Sequence, residues 1–304
     1  MSQDESPDVA AEQMLGQYIP LHYHYSMLQD SDRVGAFRQA IEANVRPGMQ
    51  VVELGGGTGV LSYFATRCGA EVTYVERNPE LVETARRLFA LNGVEQQVRV
   101  VCEDARTFRT NVPVDAVICE MLHVGLLREK QTEVIQCFKD NYCTTIDGPL
   151  PRFIPEASVL TVQPVEQDFG FDGYWAPIPL FQAPVADQPR TRALSEISTY
   201  SQFCYDESIP QTFAWDKSLI IEQSGEFNAL RFITQNLVSI NLESGQVIPW
   251  ANQFMVLPLA EPFAVNQGDA IRIKFDYDAG AEISALTGSL EVAVEQHAPR
   301  RMAA

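Results

Sequence analysis

The stretch Val51-Val52-Glu53-Leu54-Gly55-Gly56-Gly57-Thr58-Gly59-Val60 decides the fold. Its apolar, β-branched start reads as a buried strand. That strand carries a last acidic residue, Glu53, just ahead of glycines at 55, 57 and 59. Glycine is needed where backbone turns sharply and approaches a ligand with no Cβ in the way. A dinucleotide site would want GxGxxG before a helix; started from Gly55, that register puts Val60 at the third glycine, and the pattern fails. What stands here is ExGxGxG. A carboxylate leading such a loop suits a ligand with an ammonium group and no phosphate, such as a methionine moiety.

Working outward, EVTYVE over 71–76 reads as a second strand, and Asn78 and Pro79 open a helix through Leu91 with Asn92-Gly93 as its stop. Strands VRVVC over 98–102 and DAVICE over 115–120 follow. Strands alternating with helices at this spacing predict a parallel, doubly wound, Rossmann-like α/β sheet. Upstream, residues 1–12 read as disordered and 13–45 as helical, with Asp30-Ser31-Asp32 as cap-type residues. Glu76 ends the second strand, where nucleoside-binding sheets of this type bond ribose hydroxyls. Asp104, after the third strand, can accept from an adenine amino group, with Ala105 beside it. Each acid alone could equally be a solvated strand-end group. Following the glycine loop in order, the three point together to S-adenosylmethionine.

After Gly148 the texture changes: prolines are frequent, and from Lys217 the sequence alternates in strand fashion. The second half therefore reads as an antiparallel β-barrel or sandwich. The expected division is a tail with cofactor-covering helices over 1–45, a cofactor domain over 46–150 and a β-barrel domain over 151–304.

Composition narrows the class. With 22 basic against 40 acidic residues the net charge is −18, spread over both halves, so no basic footprint for nucleic acid exists. No apolar run of spanning length and no signal-peptide pattern is present, which predicts a cytoplasmic protein without a membrane partner. The six cysteines show no CxxC pairing and read as buried free thiols; no His/Cys/Asp cluster has metal-ligand spacing, so no metal is expected.

On motifs beyond the glycine loop, the chain resembles the protein arginine methyltransferases. The family's helix ahead of the sheet follows a pattern close to H-x-x-M-L-x-D-x-x-R-x-x-x-[YF]-R-x-A-I, matched here by His24, Met27, Leu28, Asp30, Arg33, Phe37, Arg38, Ala40 and Ile41. The resemblance implies that Arg33 pairs the methionine carboxylate of S-adenosylmethionine while His24 and Met27 line its sulfur side. The family's second mark is a pair of glutamates nine residues apart after the fourth strand, matched by Glu120 and Glu129. A guanidinium is a permanent cation with a fixed fork of donors and delocalised lone pairs. Two carboxylates can grip two of its nitrogens and aim the third at a methyl donor. The other reading makes Glu120 a lone strand-end group and Glu129 a surface residue beside Lys130.

The resemblance also implies a pocket walled by Tyr18 and Trp250, and a homodimer formed through an arm over 168–205, here rich in proline and aromatic residues. Departures fall on the acceptor side. Ile248-Pro249-Trp250 stands where the family has Thr-His-Trp, and Arg106 where it has an adenine-side glutamate. The implied acceptor is a guanidinium or similar cationic nitrogen, on an arginine-containing protein, a peptide or a small molecule. The alternatives are a small-molecule O- or N-methyltransferase with another acceptor, and a cofactor-binding partner subunit without activity.

Overall fold

The computed structural model describes residue 19 and residues 21–295; the disordered tail predicted over 1–12 and Tyr18 lie outside them. Two helices lead the chain, α1 (Leu21–Gln29) and α2 (Ser31–Asn44). Asp30 caps α2, its side chain accepting from the Arg33 amide at 3.0 Å. Ala36, Phe37, Ala40 and Ile41 repeat at helical spacing and form the buried stripe of α2.

A five-stranded parallel sheet follows, built from β1 (Gln50–Leu54), β2 (Glu71–Glu76), β3 (Val98–Cys102), β4 (Ala116–Cys119) and β5 (Arg152–Ile154) in the order β3-β2-β1-β4-β5. Helices α3 (Val60–Arg67), α4 (Pro79–Leu91) and α5 (Gln131–Thr145) connect the strands. Asn78 caps α4 and Pro79 takes its first turn, where a missing N–H costs nothing. The strand order reverses between β1 and β4. Their connections therefore leave in opposite directions and open a crevice beyond the strands' carboxyl ends, where ligands of such sheets bind. The sheet runs past residue 150: Ala116–Ile118 pairs in parallel with Arg152–Ile154.

The second half is antiparallel. Its seven-stranded sheet is centred on β6 (Ala157–Gln167), the long β13 (Gly225–Asn241) and β15 (Phe254–Val265), with β9 (Leu180–Gln182), β10 (Thr191–Ala193), β11 (Ser198–Cys204) and β14 (Gln246–Ala251) at its margins. The short strands β7 (Gly170–Phe171) and β8 (Tyr174–Trp175) form a separate hairpin. A three-stranded sheet of β12 (Thr212–Ile220), β16 (Ala270–Asp278) and β17 (Glu291–Glu295) packs against the larger one. Tyr200 and Phe232 of the larger sheet meet Phe275 of the smaller edge-on, at ring centroids of 5.2 and 5.4 Å. The result is a barrel-like domain with an aromatic interior. One helix, α6 (Ile283–Ser289), interrupts the strands where sequence alternation predicted none. All six cysteines are free, as expected. Their expected burial is corrected: Cys119 is buried in β4, but Cys102 and Cys143 are exposed, being on the solvent sides of β3 and α5.

Helix α2 joins the halves. Its Phe37 packs edge-on against Trp250 of β14, and Asn44 Nδ2 donates to Ser239 Oγ at 2.8 Å. No helix among the described residues is long and apolar enough to cross a membrane.

Candidate active site

A cavity of about 1110 Å³, measured out to its mouth, lies over the carboxyl ends of the parallel strands. His24, Met27, Arg33, Glu53, Gly55, Gly57, Glu76, Asp104, Ala105, Glu120 and Glu129 all line it. Residues more than a hundred positions apart in the chain thus share one wall, because α1, α2 and the ends of four strands converge there.

The glycine loop forms the floor. At Gly57, with φ of +54°, a Cβ would come within 2.9 Å of the His24 ring, so α1 closes directly onto bare backbone. Gly59 does not line the cavity; it turns the chain into α3. Two side chains that sequence reading missed support this floor. Tyr74, fully buried in β2, donates its hydroxyl to the Gly57 carbonyl at 2.5 Å. Ser62 of α3 gives Glu53 Oε2 both its amide, at 2.9 Å, and its hydroxyl. A tyrosine inside a buried parallel strand was a legible signal, since its hydroxyl must find a partner.

The acids behave according to burial. Burial drives the Glu53 carboxyl up to about 8, against the two Ser62 hydrogen bonds. Glu76 is also raised by burial, although it accepts from the Asn78 amide at 2.8 Å and the Gly57 amide at 3.2 Å. Asp104 goes the other way. Burial alone would raise it, but its hydrogen bonds with Arg106, with help from Arg77, hold it below the ordinary carboxylate value. Arg106 grips both Asp104 oxygens and also reaches Glu133 at 3.3 Å. The acid assigned to adenine is thus clasped by the residue that replaces the family's glutamate.

At the other end, Arg33 Nη2 lies 3.1 Å from Glu120 Oε2. Burial raises Glu120 above the usual carboxylate range, with the Arg33 charge opposing the rise. Glu129 is driven to about 8 by burial and then by the charge on Glu120. His24 is lowered by burial and by Arg33, and its buried Nε2 has no partner among the described residues. Trp250 stands elsewhere. It is 8% exposed, packed on Phe37, and its outer side borders a second groove beside Asp30 and Asp32 rather than this cavity.

Residues 51–141 match the methyltransferase domain family. The chain is 30% identical over 271 residues to an uncharacterised protein of Methanothermobacter thermautotrophicus, covering 88% of this chain and 97% of that one. It is also 30% identical over 134 residues to protein arginine N-methyltransferase 2 of Xenopus tropicalis, over 43% of this chain but 31% of the longer relative. Among solved structures, the Trypanosoma brucei PRMT1 enzyme–prozyme heterotetrameric complex with AdoHcy superposes with a TM-score of 0.70 at 19% identity, over 90% of this chain and 92% of that one. The chain is a protein arginine methyltransferase-like, S-adenosylmethionine-dependent methyltransferase.

S-adenosylmethionine is accordingly its methyl donor. The residues present fit a ligand of that chemistry. Bare backbone at Gly57, carboxylates at three strand ends and an unpartnered imidazole nitrogen meet one cavity, where a molecule with cationic, polar and nucleoside parts finds a counterpart for each.

Proposed function

We propose that this methyltransferase transfers a methyl group to a terminal nitrogen of a guanidinium, with Glu120 and Glu129 as the clamp. The observation that carries this reading is the state of Glu129. Its carboxyl faces the cavity beside Glu120 and makes no hydrogen bond or ion pair among the described residues, whereas Glu120 is held by Arg33. A carboxyl that lines a cavity beside a second acid and holds no cation of its own is one that a cationic ligand would complete.

When bound, S-adenosylmethionine supplies an electrophilic methyl on sulfur. Arg33 orients the carboxylate end of that donor while keeping Glu120 in place. Glu120 and Glu129 bind the guanidinium through its N–H groups and draw its positive charge towards themselves. The electron density left on the remaining nitrogen is then greater, which would suit that nitrogen to accept the methyl that bound S-adenosylmethionine would supply. The proton lost from the methylated nitrogen passes to Glu129, whose carboxyl is pushed above the ordinary carboxylate range by burial and the charge on Glu120. Tyr18, outside the described residues, is proposed to close the pocket, while the Trp250 side chain supports it from behind through Phe37.

A second reading, transfer to a small amine or hydroxyl, is favoured by Ile248-Pro249 standing where the family has Thr-His. The same residues motivate the non-catalytic partner-subunit reading. The proposed assembly is a cytoplasmic homodimer through the 168–205 arm, on which Tyr174, Trp175 and Ile178 are exposed.

The deciding experiment is transfer of labelled methyl from S-adenosylmethionine to free arginine, arginine-rich peptides and a primary-amine control. The expected result is transfer to a guanidinium, reduced at least about a hundredfold in Glu129→Gln. Transfer confined to the amine, and persisting in Glu129→Gln, would overturn the clamp. Cofactor binding without transfer to any acceptor would favour the partner-subunit reading.

A further inference from the structure

The loop between Glu120 and Glu129 is not held by its own sequence. Gly125, Leu126 and Arg128 take positive φ values of 69°, 53° and 62°, a region that leucine and arginine rarely adopt. Such a path persists only where surroundings over-determine it. Here the surroundings are barrel side chains. The Gly125 amide donates to Thr234 Oγ1 at 2.7 Å, and the Gly125 carbonyl accepts from the Tyr277 hydroxyl at 2.9 Å. Tyr200 in turn pairs with the Tyr277 hydroxyl at 2.7 Å. Thr234 is fully buried and Tyr277 is 3% exposed, so neither bond is shared with water. Further along, the Gly280 amide donates to the Leu126 carbonyl and the Arg128 amide to the Ala281 carbonyl, each at 2.8 Å.

Thr234 belongs to β13 of the larger antiparallel sheet, and Tyr277 to β16 of the smaller one. The Gly125 peptide is therefore bolted to both sheets at once, five residues after Glu120 and four before Glu129. Neither Thr234 nor Tyr277 lines the cavity. They can act on a ligand only through the loop.

We propose that Thr234 and Tyr277 are positioning residues: by fastening the Gly125 peptide they set the separation of Glu120 and Glu129 across the cavity. The inference rests on the reading of these two glutamates as a pair, and its test is chosen to stand apart from it. The two carboxyls titrate as neighbours, faced by Arg33 and Asp30 from α2 and its cap, by Arg128 of their own loop and by Glu53 of β1. Any change in their spacing moves that coupled titration.

The experiment compares wild type with Thr234→Val, which removes the bond to the Gly125 amide at nearly constant shape, with Tyr277→Phe, which removes the bond to the Gly125 carbonyl together with the one to Tyr200, and with Thr234→Ser, which keeps the hydroxyl. Carbon-13 glutamate spectra, assigned with Glu120→Gln and Glu129→Gln, follow both carboxyls against pH without an acceptor. The expected result is a displacement of at least about half a pH unit in Tyr277→Phe and Thr234→Val, with Thr234→Ser matching wild type and S-adenosylmethionine affinity within about threefold. Superimposable titrations in the folded variants would overturn the proposal. Where Tyr277→Phe does not fold, Thr234→Val reads the same residue, Gly125, through its amide and from the other sheet. In transfer to an arginine-rich peptide, kcat should fall about tenfold while KM for S-adenosylmethionine holds. Absence of transfer by wild type would sink the guanidine reading alone, since the titration still decides the positioning role.

Discussion

Arg33 and Glu120 meet at 3.1 Å across the seam between α2 and the end of β4, with side chains 17% and 8% exposed. One residue comes from a helix ahead of the sheet and the other from the fourth strand of the parallel sheet. On the proposed reading the contact ties the donor side of the cavity to the acceptor side, so a change at either residue should be felt at both.

Replacing Arg33 with alanine should weaken S-adenosylmethionine binding by roughly ten- to a hundredfold, the usual loss for a charge-assisted contact. It should also act on the acceptor side. Arg33 lowers the Glu120 carboxyl, so its removal raises that carboxyl further and delays ionisation. The rising limb of the pH–rate profile should move upward in the variant; an unmoved limb would mean the ion pair does not bear on Glu120 during turnover.

Burial pushes the Glu53 and Glu129 carboxyls up to about 8, far above the roughly 4.3 of an unfolded glutamate. Their folded values are raised, so the stability they contribute is fully present below the unfolded value and lost as pH rises through about 8. The melting temperature of the free protein should fall between pH 5 and 9. Cationic ligands favour the ionised carboxyls, so binding at pH 7 should release protons, with release declining above pH 9. Calorimetry in buffers of different ionisation enthalpy measures this directly.

Gly57→Ala should abolish measurable cofactor binding, since its Cβ would press within 2.9 Å of His24 on backbone at φ +54°. Tyr74→Phe makes a subtler test. It leaves the Gly57 carbonyl without its donor, and an unsatisfied buried acceptor costs about 1–3 kcal/mol. Part of that loss should appear as weaker cofactor binding, read by titration calorimetry, because the carbonyl belongs to the loop that forms the floor.

Trp250→Ala should cost stability rather than cofactor affinity. The ring is 8% exposed and packs against Phe37, and emptying such a site costs about 3–5 kcal/mol. Denaturant unfolding should show the loss. Cofactor affinity that falls in proportion to stability would instead place the tryptophan in the cavity wall.

Local chemistry was enough for the cofactor half. Glu53, Gly55, Gly57 and Glu76 line one cavity, and Asp30 and Asn78 cap their helices, because turns, caps and strand ends depend on neighbours within a few residues. Tyr74 and Ser62 escaped notice: their partners, Gly57 and Glu53, lie 17 and 9 residues away, and nothing in a strand or helix pattern specifies them. Asp104 carried a legible acid, but Arg106, which clasps it, is itself held by Glu133 of α5, 27 residues further along the chain. The turning of Trp250 onto Phe37, the addition of Arg152–Ile154 to the parallel sheet and the fastening of Gly125 by Thr234 and Tyr277 are all pairings between distant segments. The sequence by itself determined the donor, through short-range constraints of backbone and charge. Only the tertiary structure decided how Glu120 and Glu129 are held, because their loop takes its conformation from bonds that the barrel supplies.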